Sequence, residues 1–212
     1  MDLSSPISTV IPSAHGPILE VLARTDVALT GRAVAALTEG RVSHARTRQV
    51  LLELVASGLV TAQEAPPARL YRLNRQHLTA DAVSALASLR TTLLDRMRER
   101  CHRWATPARA VWLFGSLARG ESTASSDIDV LVVRPDQVHV DDRLWTEQLA
   151  EFADQVHAWT GNRCELLEYA ERELATALDV RLAADVRDHG VILFGASPAS
   201  LLRSGTTRRS RT

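Results

Sequence analysis

The strongest constraint on the fold is a pair of short apolar runs, one ending and the other beginning at a group of small or acidic residues. The first run ends at Gly115-Ser116, and the second begins with Asp127, Ile128 and Asp129. Such runs predict buried strands. Residues two apart in a strand point to the same side, so we expect the carboxylates of Asp127 and Asp129 to share one face.

Carboxylates on one face repel each other when they are ionised. A cation between them relieves this repulsion, and hard oxygen ligands with room for phosphate oxygens suit Mg²⁺. The Gly115-Ser116 pair has a complementary property, because glycine lets a phosphate approach the backbone closely and the seryl hydroxyl can donate to it. Arg119 follows one turn later and is a candidate charged donor to the same phosphate.

The segment LFGSLARGESTASSDIDVLVV resembles the DNA polymerase β-like nucleotidyltransferases, and among them the minimal bacterial members. The signature of that family is a Gly-Ser pair, a short spacer, Asp-x-Asp and a third acidic residue on a later strand. The Arg-Gly after the Gly-Ser pair and the Ser before the first Asp also fit. The resemblance extends over roughly residues 105–195.

The resemblance implies two sets of site residues. The catalytic and metal-binding set is Asp127, Asp129 and Glu165, with Glu168 as the alternative third acid. The nucleotide-binding set is Gly115, Ser116, Arg119 and Ser126. The implied cofactor is Mg²⁺, as two ions, with Mn²⁺ as a possible substitute. The implied reaction is in-line transfer of a nucleoside monophosphate from a nucleoside triphosphate to an acceptor hydroxyl, with release of pyrophosphate.

Residues 17–75 show the order helix, helix, helix, hairpin. Thr30 and Ser43 are the predicted N-caps of the second and third helices, and Pro66-Pro67 is the predicted hairpin turn. The order resembles the winged helix-turn-helix family, which implies DNA binding through the third helix. The candidate DNA contacts lie at the start of that helix: Arg41, Ser43, His44, Arg46, Arg48 and Gln49. A winged helix that contacts a protein is the alternative.

Charge and composition narrow the classes of function. The formal net charge is +0, so affinity for DNA has to come from a local basic surface. Residues 17–75 contain eight arginines and five acidic residues, an excess of positive charge that can form such a surface. All 25 basic residues are arginine, and the absence of lysine excludes P-loop and Schiff-base chemistry. Cys101 and Cys164 lack any CxxC spacing and are predicted to be reduced, partly buried thiols.

We expect an α+β/α/β chain of five segments. They are a flexible arm (1–16), a winged helix domain (17–78), a linker helix (79–105), a small nucleotidyltransferase domain with a mixed β-sheet flanked by helices (106–196) and a disordered tail (197–212). Apolar residues at helical spacing in the linker make a homodimer possible. The N-terminus lacks a signal-peptide pattern and no apolar run is long enough to span a membrane, so we expect a cytoplasmic protein without membrane association.

Three functions remain open from the sequence. The leading hypothesis is a nucleotidyltransferase that modifies RNA, a protein or a small molecule and is fused to a DNA-binding winged helix, with a role in transcriptional regulation. The second is a transcription regulator that senses a nucleotide without transferring it. The third is a toxin–antitoxin component that modifies tRNA or a partner protein. Retention of both Asp127 and Asp129 favours catalysis, because a sensor does not need both.

Overall fold

The computed structural model describes residues 1–202 and divides into two compact units. One unit consists of Asp2 and Ser4–Thr92, and the other of Met1, Leu3 and the chain from Leu93 onward. Most of the predicted disordered tail, residues 197–212, lies outside the described residues. Its described part contains a short helix at Pro198–Leu201.

The N-terminal unit combines short helices with a small antiparallel sheet. Its elements in chain order are α1 (Ile7–Val10), α2 (His15–Ala23), β1 (Leu29–Thr30), α3 (Gly31–Leu37), α4 (His44–Ala56), β2 (Val60–Ala65), β3 (Ala68–Leu73) and α5 (Ala80–Ala87). The strand order is β1-β3-β2. Thr30 Oγ1 accepts a hydrogen bond from the Ala33 N–H at 3.1 Å, and Ser43 Oγ accepts one from the Arg46 N–H at 3.3 Å. Both predicted N-caps are therefore confirmed.

Apolar side chains on one side of α4 hold this unit together. Val50 and Leu51 are fully buried, and they share a hydrophobic cluster with Ile18 of α2 and Leu73 of β3. The predicted hairpin, which turns at Pro66-Pro67, closes the cluster. The opposite side of α4 stays exposed as a result.

Residues 1–16 differ from the expected flexible arm. They contain α1, and the side chains of Leu3 and Ile7 are completely buried. Leu3 belongs to the core of the C-terminal unit, and Ile7 belongs to the core of the N-terminal unit. The Ser and Pro content suggested disorder, but burial of these two apolar side chains offsets the entropy cost of ordering the segment.

The segment expected to be one linker helix contains two helices. The first is α5, and the second, α6 (Leu89–His102), begins after Ser88. The Ser88 N–H donates to both Ser84 O and Ala85 O at 3.1 Å, which tightens the last turn of α5 and ends it. Leu93, Met97 and Cys101 are buried in the core of the C-terminal unit, so the apolar spacing that suggested a dimer reflects packing within the chain.

The C-terminal unit is built on a mixed sheet, as predicted. Its further elements are β4 (Ala110–Phe114), α7 (Gly115–Arg119), β5 (Ile128–Arg134), α8 (Arg143–Thr160), β6 (Cys164–Ala170), α9 (Glu171–Ala177), α10 (Val180–His189), β7 (Val191–Gly195) and α11 (Pro198–Leu201). The strand order is β6-β5-β4-β7. β4 pairs antiparallel with β5 and with β7, whereas β6 pairs parallel with β5.

Both faces of this sheet are covered, so β5 is apolar without interruption from Val130 to Val133, after Asp129. Val130 and Val132 share a buried cluster with Met97 of α6 and Phe152 of α8. Leu131 and Val133, which point to the other face, share a second cluster with Leu174 of α9 and Val186 of α10. Asp129 points to this second face because it lies two residues before Leu131.

None of the helices within residues 1–202 is both long and apolar enough to cross a membrane.

Candidate active site

The turn between β4 and α7 brings the backbone against an acidic side chain. Gly115 adopts a φ of 71°, a conformation that favours glycine. A β carbon at this position would lie 2.2 Å from Asp129 Oδ2. Phe114 and Asp129 are register partners in β4 and β5, which explains the close approach. The predicted Gly-Ser turn and the second aspartate are therefore adjacent in space.

The predicted acidic residues converge at the start of β5. Asp127 lies immediately before the strand, and Asp129 is the register partner of Glu165 in the parallel strand β6. Burial is the largest cause that raises the pKa of the Asp129 carboxyl, and the negative charges of Asp127 and Glu165 raise it further. Arg119 lowers the same pKa. The site is thus half-buried and holds several acidic side chains close together.

Strand register separates the two candidates for the third acid. Glu165 pairs with Asp129, whereas Glu168 pairs with Val132 and points to the opposite face of the sheet. Glu168 forms an ion pair with Arg134 at 2.6 Å. The structure therefore brings Glu165, and not Glu168, beside the two aspartates.

Ser126, a predicted nucleotide-binding residue, also has a structural role in the loop before Asp127. Its hydroxyl accepts a hydrogen bond from the Thr123 N–H at 2.8 Å, and its carbonyl accepts one from Asn162 Nδ2 at 2.9 Å. Asn162 is buried and stands in the connection between α8 and β6. Ser126 therefore shapes the loop that carries Asp127, in addition to any contact with a nucleotide.

A further acidic residue at the site, Asp185 of α10, was missed in the sequence. Its Oδ2 accepts a hydrogen bond from the Gly115 N–H at 3.3 Å, and its Oδ1 accepts one from Arg119 Nη1 at 2.8 Å. Arg119 also donates through Nε to Glu121 Oε2 at 2.8 Å, and these two hydrogen bonds raise the pKa of its guanidinium. Asp185 is 70 residues from Gly115 and belongs to no motif. An acidic residue in the final predicted helix of the domain was the one available signal.

Within residues 1–202, no group of three or more His, Cys, Asp or Glu side chains is arranged to hold a metal ion. The positions of two carboxylates give the physical reason. Glu165 turns toward Arg163, with Oε1 2.5 Å from Nε, and Asp185 is held by Arg119. The acidic residues are gathered at one end of the sheet, but their oxygens do not all point to one place.

Comparison with known protein families identifies most of the C-terminal unit. Residues 94–194 match the sequence model of the family described as nucleotidyltransferase domain. Residues 94–194 are a nucleotidyltransferase domain. The matched segment begins inside α6 rather than at residue 106, which agrees with the burial of Met97 and Cys101 in the core of this domain. No curated protein sequence matches the chain.

Two solved structures show a limited likeness to about half of this chain. One is a chain from a toxin–antitoxin crystal structure with AMP-PNP, with 20% identity, a TM-score of 0.37 and coverage of 51% of this chain and 80% of that chain. The other is a chain from a mutant of the toxin–antitoxin pair MntA-HpeT, with 15% identity, a TM-score of 0.38 and the same two coverages, 51% and 80%.

Outside the nucleotidyltransferase domain, the six candidate DNA contacts divide into two groups. Three are engaged in the N-terminal unit: Arg41 Nη1 lies 3.1 Å from buried Glu20, Ser43 caps α4, and Arg46 Nη1 lies 3.9 Å from Glu53. The other three, His44, Arg48 and Gln49, are exposed. Together with Arg32 and Arg69, His44 and Arg48 line a cavity of about 550 Å³ beside the hairpin.

Proposed function

We propose that the chain is a divalent-metal-dependent enzyme that transfers a nucleoside monophosphate from a nucleoside triphosphate to an acceptor hydroxyl. The observation that carries this proposal is the convergence of Asp127, Asp129 and Glu165 beside the Gly115 turn. Negative charges gathered around the half-buried Asp129 repel one another, so this arrangement is costly unless a cation offsets the repulsion.

The donor set fits a hard divalent cation. Burial and the neighbouring charges disfavour the ionised form of Asp129, and a bound cation would remove that penalty. Asp127 and Asp129 would hold Mg²⁺ or Mn²⁺, and Glu165 would join them by turning away from Arg163, an exposed partner that it can leave at little cost. The metal supplies charge neutralisation at the phosphate oxygens.

The remaining residues position the reactants. The Gly115 N–H, the Ser116 hydroxyl and the Arg119 guanidinium are the proposed donors to the triphosphate. Glu165, the register partner of Asp129, is the proposed acceptor of the proton that leaves the attacking hydroxyl. Each role requires hydrogen-bond reach in the substrate complex, which the clustering at one end of β5 supports.

For the N-terminal unit we propose a winged helix that binds DNA. Its order of helix, short strand, two helices and hairpin supports this assignment. His44, Arg48 and Gln49 on the exposed side of α4 are the proposed contacts to DNA, with Arg32 as a phosphate contact beside them. A role in transcription would follow from this binding.

The transferase proposal is tested by incubating the full chain with Mg²⁺, each of the four nucleoside triphosphates labelled at the α-phosphate, and RNA, protein or small-molecule acceptors. We expect label on one acceptor class and release of pyrophosphate. Asp127→Asn and Asp129→Asn should abolish transfer, whereas Asp154→Asn, an exposed change on α8, should retain it. Nucleotide binding without transfer to any acceptor would favour the nucleotide-sensing regulator. Label on tRNA or a partner protein alone would favour a toxin–antitoxin component.

A further inference from the structure

The carboxylate of Asp185 makes two hydrogen bonds that a phosphate group would be expected to make. It accepts from the Gly115 N–H at 3.3 Å and from Arg119 Nη1 at 2.8 Å, and both donors belong to the proposed triphosphate site. The contact joins α10 to the β4–α7 turn, and Asp185 is only partly exposed, at 23% of its side chain. A single carboxylate therefore links the two groups that would hold the nucleotide.

We infer that Asp185 occupies the place of a phosphate group and that a triphosphate has to displace it, an inference that rests on the proposed function. The Gly115 N–H carries one hydrogen and cannot serve Asp185 and a phosphate oxygen fully at once. Arg119 is less restricted, because Nη1 carries a second hydrogen, but Nε already donates to Glu121 and one Nη1 hydrogen to Asp185, so a phosphate also competes for this guanidinium.

Charge adds to this competition. Asp185 lies close enough to Asp129 to raise the pKa of its carboxyl, so it belongs to the acidic surroundings of the site. If Asp185 stayed in place, its negative charge would repel an incoming triphosphate. Displacement relieves this repulsion but breaks the ion pair with Arg119. Asp185 therefore lowers the affinity of the site for triphosphates and is not required for the transfer step itself.

The test compares the full wild-type chain with Asp185→Asn and Asp185→Ala, using inorganic tripolyphosphate with Mg²⁺ and each of the four nucleoside triphosphates with Mg²⁺ as probes. Tripolyphosphate reports on the phosphate subsite whichever base the protein prefers. We expect both variants to bind the probes about five-fold more tightly by calorimetry, the factor that corresponds to loss of one partly exposed ion pair. In the transfer assay, the KM for the triphosphate should fall.

Asp188→Asn is the matched control, because it removes the same charge from an exposed position on the same helix. It should leave the affinity for tripolyphosphate unchanged, and an equal gain in this control would overturn the inference by showing a general charge effect. Weaker or equal binding by both Asp185 variants, with normal binding by the wild type, would also overturn it and assign Asp185 to positioning Arg119. Failure of the wild type and the variants to bind any probe would reject the proposed function together with the inference.

Discussion

Gly115 and Asp129 approach so closely that the Asp129 carboxylate occupies the space a side chain at position 115 would need. A β carbon there would lie 2.2 Å from Oδ2 and 3.0 Å from Cγ of Asp129. The glycine is therefore required for two independent reasons, its φ of 71° and this contact. The same contact places a backbone N–H next to the acidic cluster, where phosphate oxygens and metal would meet.

Gly115→Ala should therefore destabilise the domain and remove nucleotide binding. We expect a loss of about 2 to 4 kcal/mol in the free energy of unfolding, from the positive φ together with the displacement of Asp129. The control is Gly120→Ala, which has a φ of 76° but open space around the β carbon. That change should cost about 1 to 2 kcal/mol and preserve binding. Urea unfolding and calorimetry with Mg²⁺-ATP, -CTP, -GTP and -UTP measure both effects, and equal losses of binding in the two variants would contradict the assignment.

Asp129→Asn should change how stability depends on pH and on metal. The pKa of Asp129 is raised above its ordinary value of 3.8, so the folded state holds its proton more tightly than the unfolded state does. Stability is therefore lost as pH rises from 3.8 through the raised pKa, and the variant should escape this loss. Without metal at neutral pH, the variant should be more stable by on the order of 1 kcal/mol or less.

With metal present, the wild type should become the more stable of the two proteins, the reverse of their order without metal. Mg²⁺ should stabilise the wild type in a concentration-dependent way and leave Asp129→Asn almost unchanged, because binding to the folded state alone raises the free energy of unfolding. Thermal unfolding with Mg²⁺ or with a chelator checks this. Equal stabilisation of both proteins by Mg²⁺ would place the metal site elsewhere.

Glu165→Gln and Glu168→Gln should have different consequences although the residues are three apart. Glu165→Gln should reduce transfer by at least about 100-fold, as expected for loss of a general base or metal ligand, with little change in stability. Glu168→Gln should weaken the ion pair with Arg134 and cost about 1 kcal/mol of stability, while activity is retained. Transfer rates and unfolding curves of the two variants distinguish the two glutamates. Loss of activity in Glu168→Gln alone would identify Glu168, and not Glu165, as the third acidic residue of the site.

Arg48→Ala and Arg41→Ala should separate DNA binding from folding. Arg48 is exposed on α4, so its loss should weaken DNA binding and reduce the salt dependence of the affinity by about one counterion. Arg41 pairs with Glu20, which is 1% exposed, so its loss should cost about 1 to 3 kcal/mol in stability. Fluorescence anisotropy with duplex DNA at several salt concentrations and urea unfolding measure the two effects. An unaltered DNA affinity in Arg48→Ala would favour a winged helix that contacts a protein.

The parts of the site that sequence could predict are those held together by local geometry. Gly115 directly follows β4, Asp127 directly precedes β5 and Asp129 lies in β5, so their spacing in the sequence largely determines their spacing in the fold. The choice between Glu165 and Glu168 depends on the register of a parallel pair, which the hydrophobic pattern of β6 does not determine. Asp185 joins the site through a contact across 70 residues, for which no local pattern exists.

The fold shows the same division between local and long-range information. N-caps at Thr30 and Ser43 were predictable because capping depends on a few neighbouring residues. Burial of Leu3 was not, because its partners, such as Met97 and Trp104, lie far along the chain. The end of α5 at Ser88 was also missed, since an apolar residue every three or four positions continues through it.

The packing of α6 bears on how the protein can be divided in the laboratory. Met97 and Cys101 of α6, and Trp104 just after it, share a buried cluster with one face of the four-stranded sheet. An expression plasmid whose coding region starts at residue 106 would therefore yield a fragment with that face open to water. Such a fragment should aggregate or enter inclusion bodies. Random mutagenesis of the predicted linker, residues 79–105, should likewise produce insoluble proteins. The most sensitive positions should be Met97, Cys101 and Trp104.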